Sequence, residues 1–153
     1  MIRRPAAALA GVAALAGTAA AAAAPPAEPF CAELRAVVAA AQERPAFASM
    51  PAGVRRPMLG FAECEVQAFL DASFICMEDS PDSKRRWQGL VDSIRACLPK
   101  ASPYRERGMS PPRGGELKSV LRSGRAIILI HEDGYANLPQ RYVALHIEPK
   151  LGR

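Results

Sequence analysis

The sequence predicts an α+β domain of two layers, a mostly antiparallel sheet of about 4–5 strands with two helices on one face, stapled by disulfides. Three observations lead there. Trp87, Leu90, Val91, Ile94 and Leu98 recur at helical spacing between Pro81 and Pro99, with Cys97 at the edge of the same stripe. Alternating strand-like segments flank this helix on both sides. The four cysteines, Cys31, Cys64, Cys76 and Cys97, form an even set behind an export-type leader, which reads as two disulfides.

The leader comes first. Met1-Ile2-Arg3-Arg4 is a positive n-region, Pro5 to Ala23 is uncharged and alanine-rich, and small residues offer A-x-A cleavage sites before Pro25-Pro26. Residues 1–23 are therefore expected to be a signal peptide cut after Ala23, which gives a periplasmic or secreted bacterial protein with no stable membrane anchor after cleavage. Residues 24–28 read as a flexible start, and 29–153 as a single domain.

Pro29 to Arg44 reads as the first helix, with Cys31, Leu34, Val38 and Ala41 on one stripe and Pro45 closing it. Residues 46–57 are turn-rich. Met58 to Asp79 reads as a β-hairpin in which Cys64 opposes Cys76, Val66 opposes Phe74 and Ala68 opposes Ala72. The next helix is expected to have Ser80 as N-cap, Pro81 in its first turn and Pro99 as its stop.

These positions constrain the bridges. Cys76 lies just before the second helix and Cys97 near its end, about 25 Å further on at 1.5 Å per residue. A disulfide needs Cα atoms within about 7 Å, so Cys76 and its strand neighbour Cys64 pair with each other. Cys31 then pairs with Cys97, as antiparallel helices allow. No two cysteines have the C-x-x-C spacing of a zinc or thioredoxin-type redox site.

Residues 100–115 read as a long loop rich in proline, glycine and arginine. A short strand follows at 116–121. Residues 125–130 form a strongly apolar strand with a central place in the sheet. Residues 131–140 read as a loop, and 141–147 as the last, alternating strand.

One cluster invites a catalytic reading. His131, Glu132 and Asp133 are ligand-type side chains at the end of a strand, the set that hydrolytic metal sites use. With 132–140 as the loop, His131 pairs with Arg141 and His146 lies near Ala126. The two histidines are then separated by about 17 Å, too far for one ion. No G-x-S-x-G elbow and no phosphate-binding glycine loop is present. No cofactor is implied.

Charge narrows the partners. The net charge of +5 falls to about +3 once Arg3 and Arg4 leave with the leader. Nucleic-acid binders carry a denser basic stripe with interleaved aromatics, so nucleic acid is not the expected partner. The basic loop carrying Arg105, Arg107 and Arg113 is a candidate for docking an envelope protein or an anionic polymer. The reading that follows is a non-enzymatic binding or accessory module. The alternative is a small hydrolytic or metal-dependent enzyme using His131, Glu132 and Asp133.

Overall fold

The computed structural model describes residues 26–68, 72–105, 116–135 and 138–150. Within them lie two helices, α1 (Glu28–Ala40) and α2 (Ser83–Cys97). The strands are β1 (Arg56–Met58), β2 (Phe61–Gln67), β3 (Ser73–Asp79), β4 (Ser102–Pro103), β5 (Leu117–Ser123), β6 (Ala126–Gly134) and β7 (Arg141–Pro149). They form one sheet in the order β1-β2-β3-β7-β6-β5-β4, and every pairing is antiparallel. The last strand therefore inserts between β3 and β6 and becomes the centre of the sheet.

The class is as expected, but the sheet has seven strands rather than 4–5 among the described residues. The additional two are the edges, β1 and β4, of three and two residues. Each contains a proline, Pro57 or Pro103, which removes a ladder donor and confines such a segment to an edge. Pieces this short show no period of two, so they read as loop.

Helix ends also moved. α1 stops at Ala40, short of Arg44. The Phe47 N–H donates to the Ala40 carbonyl at 2.7 Å with Phe47 left-handed at φ 59°, which folds the chain back and buries the phenyl ring. α2 starts at Ser83, not at Ser80. The Ser80 N–H donates to the Arg141 carbonyl at 3.1 Å, so Ser80 is held at the start of β7 and does not cap the helix. Asp82 takes the cap position without a side-chain cap bond.

One sheet face meets both helices. Cys64 and Val66 of β2, Phe74 and Cys76 of β3, Ile128 and Ile130 of β6 and Leu145 and Ile147 of β7 point into a shared core. Leu34, Val37 and Val38 of α1 and Leu90, Val91 and Ile94 of α2 complete it. Trp87 lies against this core and donates its indole N–H to the Ile130 carbonyl at 3.2 Å.

Both disulfides form as the register argument requires. Cys64 and Cys76 are directly opposite on β2 and β3, with Cα atoms 4.2 Å apart. Cys31 and Cys97 join the start of α1 to the end of α2 across 5.1 Å. The opposition of Val66 and Phe74 is also as expected. Two-residue turns complete the frame. Leu59 and Gly60, at φ 54° and 72°, link β1 to β2, both in the positive-φ region that such a hairpin turn demands.

Candidate functional site

The pleat of β6 decides where its polar end points. Side chains alternate between faces, so Ala126, Ile128, Ile130 and Glu132 face the helices while Ile127, Leu129, His131 and Asp133 face the other way. The expected loop at 131–140 therefore begins later, because β6 runs to Gly134 and Tyr135 N–H closes the turn on the Gln140 carbonyl at 3.3 Å.

Glu132 explains the extension. It is fully buried, and the guanidinium of Arg141 holds both its oxygens, one contact being Nη2 to Oε2 at 2.8 Å. The Ser83 hydroxyl donates to Oε1 at 2.6 Å. The Arg141 hydrogen bonds, with help from Ser83 and against the cost of burial, hold the Glu132 carboxyl below its ordinary range. Among the described residues no buried side-chain N or O atom lacks a hydrogen-bond partner. Glu132 thus ties β6, β7 and the first turn of α2 together.

His131 and Asp133 lie on the opposite face. Asp133 Oδ1 accepts the N–H of Gly134 at 2.8 Å. The three members of the His131-Glu132-Asp133 cluster do not converge. Among the described residues no group of three or more His, Cys, Asp or Glu side chains is arranged to hold a metal ion.

The strand register corrects a second expectation. Gly134, not His131, pairs with Arg141, while His131 pairs with Ala144 and Leu129 with His146. His131 and His146 therefore become diagonal neighbours on one face. Their rings stack at 5.5 Å between centroids, with 23° between planes, in place of the separation of about 17 Å that the shorter strand implied.

The row continues. Tyr142 meets His131 edge-on at 5.5 Å, its hydroxyl 3.4 Å from Nε2, and Tyr135 lies 4.9 Å from Tyr142. Tyr135 donates its hydroxyl to Asp79 at 2.7 Å. His146, His131, Tyr142 and Tyr135 thus form a row of rings across β6, β7 and the turn between them. Register places Lys118 of β5 beside His131 and Met77 of β3 beside Ala144. Met77 is 52% exposed. Among the described residues no helix packs on this face.

Burial sets the charge here. It lowers the His146 pKa to about 4, with the His131 ring adding to the effect. His131 is lowered too, chiefly by burial and also by Lys118, with Glu116 and Asp133 pulling the other way. Both imidazoles are neutral at neutral pH. Burial also raises the Tyr142 phenol, and the bond to Asp79 raises that of Tyr135. The two imidazoles thus add no charge to the middle of the face, where Lys118, Glu116 and Asp133 are the charged groups that act on His131.

No protein-family model matches the chain, and no curated protein or solved structure is significantly similar to it.

Of the basic candidates, Arg105 is exposed just beyond β4, while Arg107 and Arg113 lie outside the described residues, as does the leader. Glu63 and Glu65, which share a face of β2, are bridged by Arg55 at 3.4 and 3.5 Å. Sequence reasoning missed Tyr135, Tyr142, His146 and Met77 as one surface, and Ser83 and Arg141 as partners of Glu132. The signal that could have found them is the alternation of β6 carried through Asp133. It makes Glu132 a core carboxylate that needs a cation, and Arg141 opens the next strand. No helix among the described residues is long and apolar enough to cross a membrane, and two disulfides fit an oxidising compartment.

Proposed function

We propose that this protein is a non-enzymatic binding module, periplasmic or secreted, and that its working surface is the sheet face opposite the helices. The observation that carries the reading is the row formed by His146, His131, Tyr142 and Tyr135, flanked by the exposed Met77. Partly exposed rings with polar tips are what recognition surfaces use, because they offer apolar area and directed hydrogen bonds together. The leader and the disulfide pairs support the compartment.

The hydrolytic alternative needs His131, Glu132 and Asp133 on one side, whereas Glu132 is committed to Arg141 and Ser83 in the core. The supporting test is cross-linking in the intact envelope, followed by capture of the mature protein. A recurrent partner that is retained by the parent protein and lost in Met77→Asp would support the face as the docking surface. A partner indifferent to Met77→Asp, or recovery of the protein with neither a cross-linked protein nor a bound envelope polymer, would overturn it.

A further inference from the structure

At the Tyr135 end of the ring row, Asp79, Ser80, Pro81, Pro139, Gln140 and Arg141 line a depression of about 340 Å³. That volume falls in the range of small-ligand sites. We infer that this depression and the adjoining Tyr135 and Tyr142 rings bind a neutral saccharide, one sugar ring in the depression and its neighbours along the row. The inference rests on the binding reading above and names its ligand class.

Three features select that chemistry. The first is charge. Arg141 is paired with Glu132, so its positive charge is already matched, and Asp79 adds a carboxylate at the rim. An anionic ligand would meet no surplus of positive charge among the lining residues.

The second is the kind of polar group. Asp79 and Gln140 present flat, forked hydrogen-bonding ends, an acceptor pair and a donor–acceptor pair. Such ends match the adjacent hydroxyls of a sugar, which donate and accept at once. Tyr135 fixes the Asp79 carboxylate by donating to Oδ1, leaving further lone pairs to accept from a ligand hydroxyl. Pro81 and Pro139 supply apolar wall, and the Tyr135 and Tyr142 rings extend apolar surface for the C–H faces of a pyranose.

The third is the backbone. β7 is paired on both sides here, Tyr142 opposite Asp79 of β3 and Arg141 opposite Gly134 of β6, while β2 pairs with β3 only over Ser73–Cys76. The β7 side of the depression therefore offers no edge to align an extended peptide by main-chain hydrogen bonds. Recognition from that side falls to side chains.

The test uses the disulfide-bonded mature protein, labelled with nitrogen-15 and titrated with neutral tetrasaccharides (cellotetraose, maltotetraose and chitotetraose) and with trilysine and a sulfated tetrasaccharide. At least one neutral probe should shift the Asp79, Ser80, Tyr135, Gln140 and Arg141 amides saturably, with a Kd of about 1 mM or tighter. Asp79→Ala and Gln140→Ala, both at exposed positions, should each weaken that binding about tenfold, and Glu63→Ala on β2 should not. Absence of a saturable shift with every neutral probe, binding by the charged probes alone, or binding unaffected by both alanine variants would overturn the inference. If no saccharide binds while the cross-linked partner is still lost in Met77→Asp, the saccharide assignment fails and the binding reading stands.

Discussion

At the scale of single residues, Glu132 and Leu59 show how much of this fold rests on individual side chains. Removing one partner of a buried ion pair costs about 3–5 kcal/mol. Arg141 is 35% exposed and can rehydrate, so Glu132→Ala is expected to fall below that range, at about 2–3 kcal/mol, in urea unfolding. Ser83→Ala removes one hydrogen bond to the same carboxylate and should cost about 1–2 kcal/mol. Equal losses in the two variants would argue against the clamp. Leu59 is fully buried at φ 54°, a conformation that costs a residue with a Cβ about 1–2 kcal/mol. Both Leu59→Ala and Leu59→Gly lose the buried side chain, but only the glycine relieves the backbone. The glycine variant should therefore be the more stable of the two by about 1 kcal/mol, reversing the usual order at an ordinary position. Neither residue announced its role. Glu132 in sequence looks like a polar loop start, and an isolated leucine between Met58 and Gly60 carries no mark of a left-handed turn.

Elements were legible in proportion to their length and period. The stripes Cys31–Leu34–Val38 and Leu90–Val91–Ile94 located both helices, and the alternation around Cys64 and Cys76 located β2, β3 and their register. That register in turn gave the bridges. The reading failed where a neighbour decides the outcome. β6 outlasts its apolar run because Arg141 and Ser83 satisfy Glu132 from other elements, and α2 begins late because Ser80 is bound to β7. The ring row went unread for the same reason, since a three-residue shift of register, Gly134 and not His131 opposite Arg141, brings His131 and His146 together. The bridges can be ranked. In the chain-entropy model the Cys31–Cys97 link, 66 residues apart, contributes about 4 kcal/mol, and the Cys64–Cys76 link, 12 apart, about 3. Paired Cys→Ser variants should lose stability in that order, and the reverse order would show that strain or residual structure outweighs loop entropy.

For the whole molecule, the open sheet face makes stability depend on pH. His146 has its pKa lowered from 6.5 to about 4 by burial, so the unfolded chain binds a proton more readily between those values. Its contribution is complete above pH 6.5 and is lost as the pH falls towards 4, a change of at most about 3 kcal/mol. His131 acts in the same sense. Glu132, depressed below 4.5, contributes above that pH and loses its share as the pH falls through its lower folded value. Thermal unfolding should therefore show a fall in Tm from pH 6.5 to 4 and a further one below. His146→Leu is expected to flatten the upper part and leave the lower part. A His146→Leu profile parallel to the parent's would remove His146 as the cause. The Cys31–Cys97 bond carries a mechanical consequence as well. Tension applied to the chain before Cys31 and after Cys97 passes directly through that bond, so the bodies of both helices and β1 to β3 lie in a closed loop off the load path. Pulling the oxidised protein can lengthen only the chain outside the loop, whereas reduction releases a further 66 residues, about 230 Å of contour.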